Sequence, residues 1–184
     1  MYYEMEIAGL KRKLPLFPVN DDLYIAAFIL FGDVEMTEHA AGALLKKAPD
    51  FDILLTAEAK SIPLAHEMAK QAGMNEYVIA RKGPKVYMEN IINTQVHSIT
   101  TKHLQQLYLG QNEIDLMNGR RVLIIDDVIS TGESIDSLEA LAKKAGGNIV
   151  GKMAILAEGD SMDRPDIIAL EKLPLFDSEG NIKD

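Results

Sequence analysis

Hydrophobic and polar positions along the chain alternate between two spacings. From Thr37 to Ala48 the apolar residues recur at helical intervals, with Glu38 in the first turn, Lys46 and Lys47 in the last, and Pro49 beyond. That spacing predicts a helix over 37–48 with Thr37 as its cap. A short apolar run, Phe51 to Leu55, has the length of a strand. After Pro63 a second helical pattern (Leu64, Ala65, Met68, Ala69, Ala72) stops at Gly73, and Tyr77 to Ala80 reads as another strand. Two strands joined through a helix over about thirty residues make a βαβ unit, whose strands are expected to run parallel with a right-handed crossover.

A second unit is clearer still. Asn118-Gly119 marks a turn, and Val122 to Ile125 is a continuous apolar run, as expected of a strand covered on both faces. A polar loop leads into a helix with Ile135, Leu138, Leu141 and Ala142 on one face, stopped by Gly146-Gly147. Ile149 to Leu156 and Ile167 to Leu170 supply two more strands. The fold class is therefore α/β, a mainly parallel sheet flanked by helices. Arg81 to Met117 breaks the pattern. Gln95–Thr100 and Gln106–Leu109 look like two strands around a polar Thr-Thr-Lys-His segment, a long hairpin or flap. The chain ends, 1–35 and 158–184, read as irregular and carry several aromatics (Tyr2, Tyr3, Phe17, Tyr24, Phe176), expected to form a small hood over the core, which spans about 36–157. At 184 residues this is the size of one domain, 1–184.

Composition narrows the function. A net charge of −9 argues against nonspecific nucleic-acid binding and against attraction to anionic membranes, both of which need a basic field. The absence of cysteine removes disulfides, thiolate nucleophiles and Cys-ligated metals. The N-terminal segment MYYEMEIAGLKRK lacks the layout of a secretory signal, and the longest apolar stretch, Leu23 to Phe31, is too short to span a bilayer. A cytoplasmic location is the expectation.

The chemistry is concentrated in Val122-Leu-Ile-Ile-Asp-Asp-Val-Ile-Ser-Thr-Gly-Glu-Ser134. Two carboxylates, Asp126 and Asp127, follow a buried strand, and a loop of small hydroxyl-bearing residues opens into a helix. In open α/β sheets ligands bind beyond the carboxyl ends of strands. Backbone N–H groups over Ser130, Thr131, Gly132, Glu133 and Ser134 form a cradle for phosphate at a helix N-terminus, and Gly132 allows close approach. The acid pair suits diol hydroxyls or a hydrated Mg²⁺. Together these features read as a site for ribose 5-phosphate with a metal. Arg81, Lys82 and Lys85 add three cations within five residues past another strand, a local exception in an acidic chain and suited to pyrophosphate.

This segment resembles the 5-phosphoribosyl 1-pyrophosphate (PRPP) motif of type I phosphoribosyltransferases, and the resemblance extends over most of the chain. It lies nearest the purine branch. Leu54-Leu-Thr-Ala-Glu-Ala-Lys-Ser61 looks like the family's pyrophosphate loop, which implies pyrophosphate contacts from Ala59, Lys60 and Ser61 together with Arg81, Lys82 and Lys85. The segment Arg81-Lys-Gly-Pro-Lys85 is similar to the Arg-Lys-x-x-Lys of adenine phosphoribosyltransferases, whereas Val96 to His103 looks more like the flap of the xanthine enzymes. Two departures stand out: Lys60 occupies a position where adenine enzymes usually carry Arg, and Thr100 stands where their flap carries a glutamate.

The implied reaction displaces pyrophosphate from C1 of PRPP by a purine nitrogen, adenine first and xanthine next, giving a nucleoside monophosphate. Asp126, Asp127 and Lys60 would be the catalytic residues, Mg²⁺ on Asp126 and Asp127 (directly or through water) the cofactor, and a homodimer the working unit. The flap, Tyr87 to Leu107, would close over the site; His97 and His103 read as surface residues of it, with proton carrier or flap contact as the alternative, and Phe17, Tyr24 and Phe176 read as packing, with stacking of one of them on the base as the alternative. His39 and His66 fall in helical patterns and read as structural. A different class, a PRPP- or nucleotide-binding regulatory homologue without efficient catalysis, stays open; direct DNA repression does not suit the charge or the short segment ahead of the first core helix.

Overall fold

In the computed structural model, described for residues 1–96 and 105–183, the chain builds twelve strands and four α-helices. The first three strands, β1 (Tyr2–Ile7), β2 (Leu10–Asn20) and β3 (Leu23–Ala26), precede helix α1 (Val34–Leu45). Next come β4 (Ile53–Ala57), α2 (Ile62–Gln71) and β5 (Val78–Ala80). The hairpin strands β6 (Ile92–Val96) and β7 (Gln105–Leu109) lead to the short helix α3 (Gln111–Met117). The second unit is β8 (Arg121–Ile129), α4 (Glu133–Lys144) and β9 (Asn148–Glu158). A 3-10 turn over Gly159–Asp163 precedes β10 (Ile167–Leu173), β11 (Leu175–Phe176) and β12 (Ile182–Lys183).

The central sheet has the order β10-β9-β8-β4-β5, and every neighbouring pair is parallel. Both faces are covered, and adjacent residues divide between them. Leu54, Leu123, Ile125, Met153 and Ile155 pack into one cluster with α1 and α2, while Ile53, Leu55, Val122, Ile124 and Ala154 face α4 and the β7 residues Leu107 and Leu109. This explains the unbroken apolar runs, since a strand buried on both sides leaves no polar position. The expectation of a parallel sheet between helices therefore holds.

The structure differs from the expectation at three points. Helix α1 begins at Val34 because Asp33, not Thr37, caps it: the Met36 N–H donates to Asp33 Oδ1 at 3.0 Å. Thr37 sits inside the first turn, its hydroxyl donating to the Asp33 carbonyl. Helix α3 escaped the sequence reading because seven residues hold too few apolar positions for a helical period. The chain ends are not irregular. Strands β1, β2, β3, β11 and β12 form a second, antiparallel five-stranded sheet.

That hood sheet begins with a hairpin whose turn residues Ala8 and Gly9 are both left-handed, at φ +51° and +82°. Its inner face (Ile7, Leu14, Ala26, Phe176) is buried in the same cluster as Leu123 and Met153, so hood and core share one interior. Strand β10, inside the C-terminal segment assigned above to the hood, pairs with β9 in the central sheet and carries the core to Leu173. Phe176 is buried against Tyr3, with ring centroids 4.9 Å apart, and Phe17 is exposed; none of Phe17, Tyr24 or Phe176 lines the cleft described below.

Candidate active site

The acid pair lies within β8 rather than past its end. Strand β4 pairs with β8 only as far as Leu55 opposite Ile124 and then turns away, while β9 accompanies β8 to Ile129 opposite Ala157. The departing β4 chain, residues 58–61, therefore folds back beside Asp126 and Asp127. The Glu58–Ala59 peptide bond in this turn is cis. Ser61, 1% exposed, joins the two segments: its hydroxyl lies against Asp126 Oδ1 and 3.2 Å from Asp127 Oδ1, and the Asp127 N–H donates to Ser61 Oγ at 2.9 Å.

Lys60, the residue before, sets its ammonium 3.0 Å from Asp127 Oδ2. Asp127 is 2% exposed, and among the described residues the Lys60 ammonium is the polar partner of its Oδ2. Burial, reinforced by the charge of Asp127, raises the Asp126 carboxyl to about 7, against the opposing hydrogen bond from Ser61. Two crowded carboxylates, one oxygen of which is matched by an ion pair alone, are a hard-oxygen donor set, the kind Mg²⁺ takes. Among the described residues no group of three or more His, Asp or Glu side chains forms a metal cage. The fit is thus to an ion held by one or two carboxylates and completed by water and phosphate oxygens.

These groups line a cleft of about 160 Å³ formed by Ala57 to Ser61, Lys82, Leu107, Asp126, Asp127, Val128 and Ser134. One wall includes Ser134, in the first turn of α4, into which the loop after β8 leads. Gly132 starts α4 in the left-handed conformation, φ +84°, and the first turn of the helix leaves its N–H groups without intrahelical partners. Thr131 Oγ1 accepts a long 3.5 Å contact from the Glu133 N–H. The opposite wall is the turn after β5. Arg81 extends its guanidinium to Glu58 at 3.2 Å and to the Tyr87 hydroxyl at 3.1 Å, and the Lys82 N–H donates to Glu58 Oε2. These contacts hold the Glu58 carboxyl below its ordinary range, the Lys82 N–H most strongly. The Arg81 backbone also bridges to Tyr108 of β7 by two 2.9 Å hydrogen bonds, which fixes the base of the hairpin to the cationic turn.

The phosphoribosyl transferase domain family matches residues 35–178, which takes in the whole of this site. The chain belongs to that family. As a phosphoribosyltransferase it is 27% identical over 172 residues to an adenine phosphoribosyltransferase of Thermosipho africanus, covering 92% of this chain and 96% of the relative. It is 29% identical over 149 residues to a hypoxanthine/guanine phosphoribosyltransferase of Methanococcus voltae, covering 81% of this chain and 73% of the other. The fold is that of the solved adenine phosphoribosyltransferase of Saccharomyces cerevisiae, at a TM-score of 0.68 and 17% identity over 85% of this chain and 93% of that one. The Thermoanaerobacter pseudethanolicus enzyme agrees at a TM-score of 0.65, covering 94% and 95%. The resemblance to the purine branch of type I phosphoribosyltransferases is thereby borne out.

In this phosphoribosyltransferase the cleft collects Ala59, Lys60, Ser61, Lys82, Asp126, Asp127 and Ser134 from the residues singled out in the sequence. Arg81 stands behind Lys82, committed to Glu58, and Lys85 lies further along the turn, its N–H on the Met88 sulfur, so neither lines the cleft. Ser130, Thr131, Gly132 and Glu133 lead up to Ser134 without lining the cleft themselves. His39 and His66 are exposed on their helices. His97, Thr100 and His103, and with them the tip of the expected flap, lie outside the described residues. Sequence reasoning missed three residues beside the loop: Glu158, Ser161 and Arg164. Glu158, 7% exposed at the end of β9, has its carboxyl raised by burial, against the pull of Ser130 and Lys60. Its position at the carboxyl end of a central strand was the available signal.

Proposed function

We propose that the protein is a purine phosphoribosyltransferase that carries the 5-phosphoribosyl group from PRPP to a purine base in purine salvage, with adenine the preferred base and xanthine next. The observation that carries this reading is the meeting in one cleft of the acid pair, the Ala59-Lys60-Ser61 turn, Lys82 and the start of α4. Each part has one task. The α4 N-terminus with Ser130 to Ser134 holds the 5-phosphate, and Asp126 and Asp127 hold the ribose hydroxyls and Mg²⁺. Lys60, Ser61 and Lys82, backed by Ala59, Arg81 and Lys85, hold the pyrophosphate.

In the reaction the C1–O bond to pyrophosphate breaks as a purine ring nitrogen bonds to C1, through an oxocarbenium-like transition state, and the proton carried by the purine passes to the departing pyrophosphate or to water. The chain needs no nucleophile of its own. Its contribution is positioning, together with cations placed where the leaving group gathers charge. Bound Mg²⁺ would add Lewis-acid neutralisation of the same charge. Ser61 keeps both carboxylates oriented, and Lys60 shares its charge between Asp127 and the incoming diphosphate. A homodimer completes the proposal.

The test is turnover of PRPP and Mg²⁺ with adenine, xanthine, guanine and hypoxanthine in parallel. Pyrophosphate release is expected with adenine at the highest kcat/KM. Release with none of the four overturns the enzymatic reading, and PRPP binding retained without turnover would favour the regulatory one.

A further inference from the structure

The segment that follows β9 touches the phosphate loop at two points. In the 3-10 turn Ser161 is 2% exposed, and its hydroxyl donates to the Ser130 carbonyl. Three residues on, Arg164 lays its guanidinium over Gly132. A Cβ built on that glycine would collide with Arg164 Nη1, so a side chain there would have to displace the guanidinium, and the left-handed backbone already favours glycine.

Arg164 is held from both sides. Nη1 and Nη2 donate to the two oxygens of Asp136, in the first turn of α4, at 3.1 and 2.8 Å. Nε and Nη2 donate to Asp166, at the approach to β10, at 3.1 and 2.8 Å. Asp166 is in turn anchored by Lys152 of β9, 9% exposed, which also holds Glu139 of α4 at 2.7 Å. The chain of contacts runs from the central sheet through Lys152, Asp166 and Arg164 to Asp136 and the start of α4.

With both edges of its planar fork occupied by carboxylates, Arg164 has its charge matched and is not itself an anion ligand. We propose that Arg164 is a positioning residue that holds the Ser130–Ser134 loop in its anion-binding shape before the 5-phosphate arrives. This rests on the reading of that loop given under Proposed function. A loop fixed in advance loses little entropy when it binds, and that saving appears as affinity. The groups assigned to pyrophosphate stand on the turns after β4 and β5, and Arg164 bonds instead to Asp136 and Asp166, so the effect is specific to ligands carrying the 5-phosphate.

The experiment is calorimetric titration of ribose 5-phosphate and, separately, of pyrophosphate with Mg²⁺ into the wild-type protein, Arg164→Ala and Arg164→Lys. Arg164→Ala is expected to weaken ribose 5-phosphate roughly tenfold while pyrophosphate binding changes by less than about twofold. Arg164→Lys recovers part of the loss, because an ammonium holds one carboxylate but cannot fork two. In turnover, KM for PRPP rises and kcat is retained. If Arg164→Ala does not fold, Asp166→Asn, which removes one anchor, is expected to give a smaller loss of the same selectivity. Unchanged ribose 5-phosphate binding in these variants, or equal losses for both ligands, overturns the inference. A wild-type protein that does not bind ribose 5-phosphate overturns the loop assignment beneath it, an outcome distinct from a wild type that binds and a variant that binds equally.

Discussion

Lys60 Nζ and Asp127 Oδ2 lie 3.0 Å apart, the carboxylate almost wholly buried and the lysine half exposed. Lys60 also lines the cleft, so under the proposed function this one residue answers to both stability and ligand binding. Replacing Lys60 by Met leaves Asp127 without its counter-charge and is expected to cost about 1–3 kcal/mol of stability, read from urea unfolding. The same variant should lower kcat/KM by roughly a hundredfold. Adding Asp127→Asn should recover most of the stability and none of the activity, a non-additive cycle that independent sites would not give.

Asp127→Asn alone tests the assignment of the acid pair. Its affinity for PRPP in the presence of Mg²⁺ is expected to fall at least about tenfold by calorimetry, since an amide is a weak ligand for a hard cation. Affinity equal to wild type would mean that the pair holds neither the diol nor the metal.

Gly132→Ala introduces a Cβ at φ +84° and into the space held by Arg164 Nη1. The strained backbone alone is expected to cost about 1–3 kcal/mol, and the displaced guanidinium adds to it. Denaturant midpoints of Gly132→Ala and of the double variant with Arg164→Ala separate the two: the double should be less damaged than the sum of the singles.

The network behind the loop also sets an acid limit. Arg164, then Lys152, hold the Asp166 carboxyl well below the usual carboxylate range, and Lys143 and Lys152 lower Glu139. A depressed folded value means that the unfolded chain binds protons first. The contribution is therefore complete above the unfolded carboxylate value of about 4 and is lost as pH falls from there toward the folded value. Urea midpoints measured from neutral pH down to about 2.5 should fall on the acid side, and Asp166→Asn should flatten part of that slope.

Much of the site was legible because its signals are local. Val122 to Ile125 reads as a covered strand from composition alone, and the loop from Asp126 to Ser134 carries its chemistry in consecutive residues. The cation triplet was legible as a charge pattern, but not the division of labour within it: Lys82 reaches the cleft, while Arg81 turns to Glu58, 23 positions earlier. The hood was expected from the chain ends, but its strands were read as irregular because they hold mixed polar and apolar residues. Their regularity comes from pairing between the two chain ends, as in Phe176 opposite Tyr24.

By itself the sequence determined the element types of the core, the parallel unit that repeats and the motif that names the family, since each depends on spacings of a few residues. The tertiary structure alone decided which distant groups meet. Ser61 clasps carboxylates 65 and 66 residues away, and Arg164 ties down a helix start 28 residues behind it. Such contacts follow from strand order, from β4 leaving the sheet early and from β9 running on past it, and spacing along the chain encodes none of these.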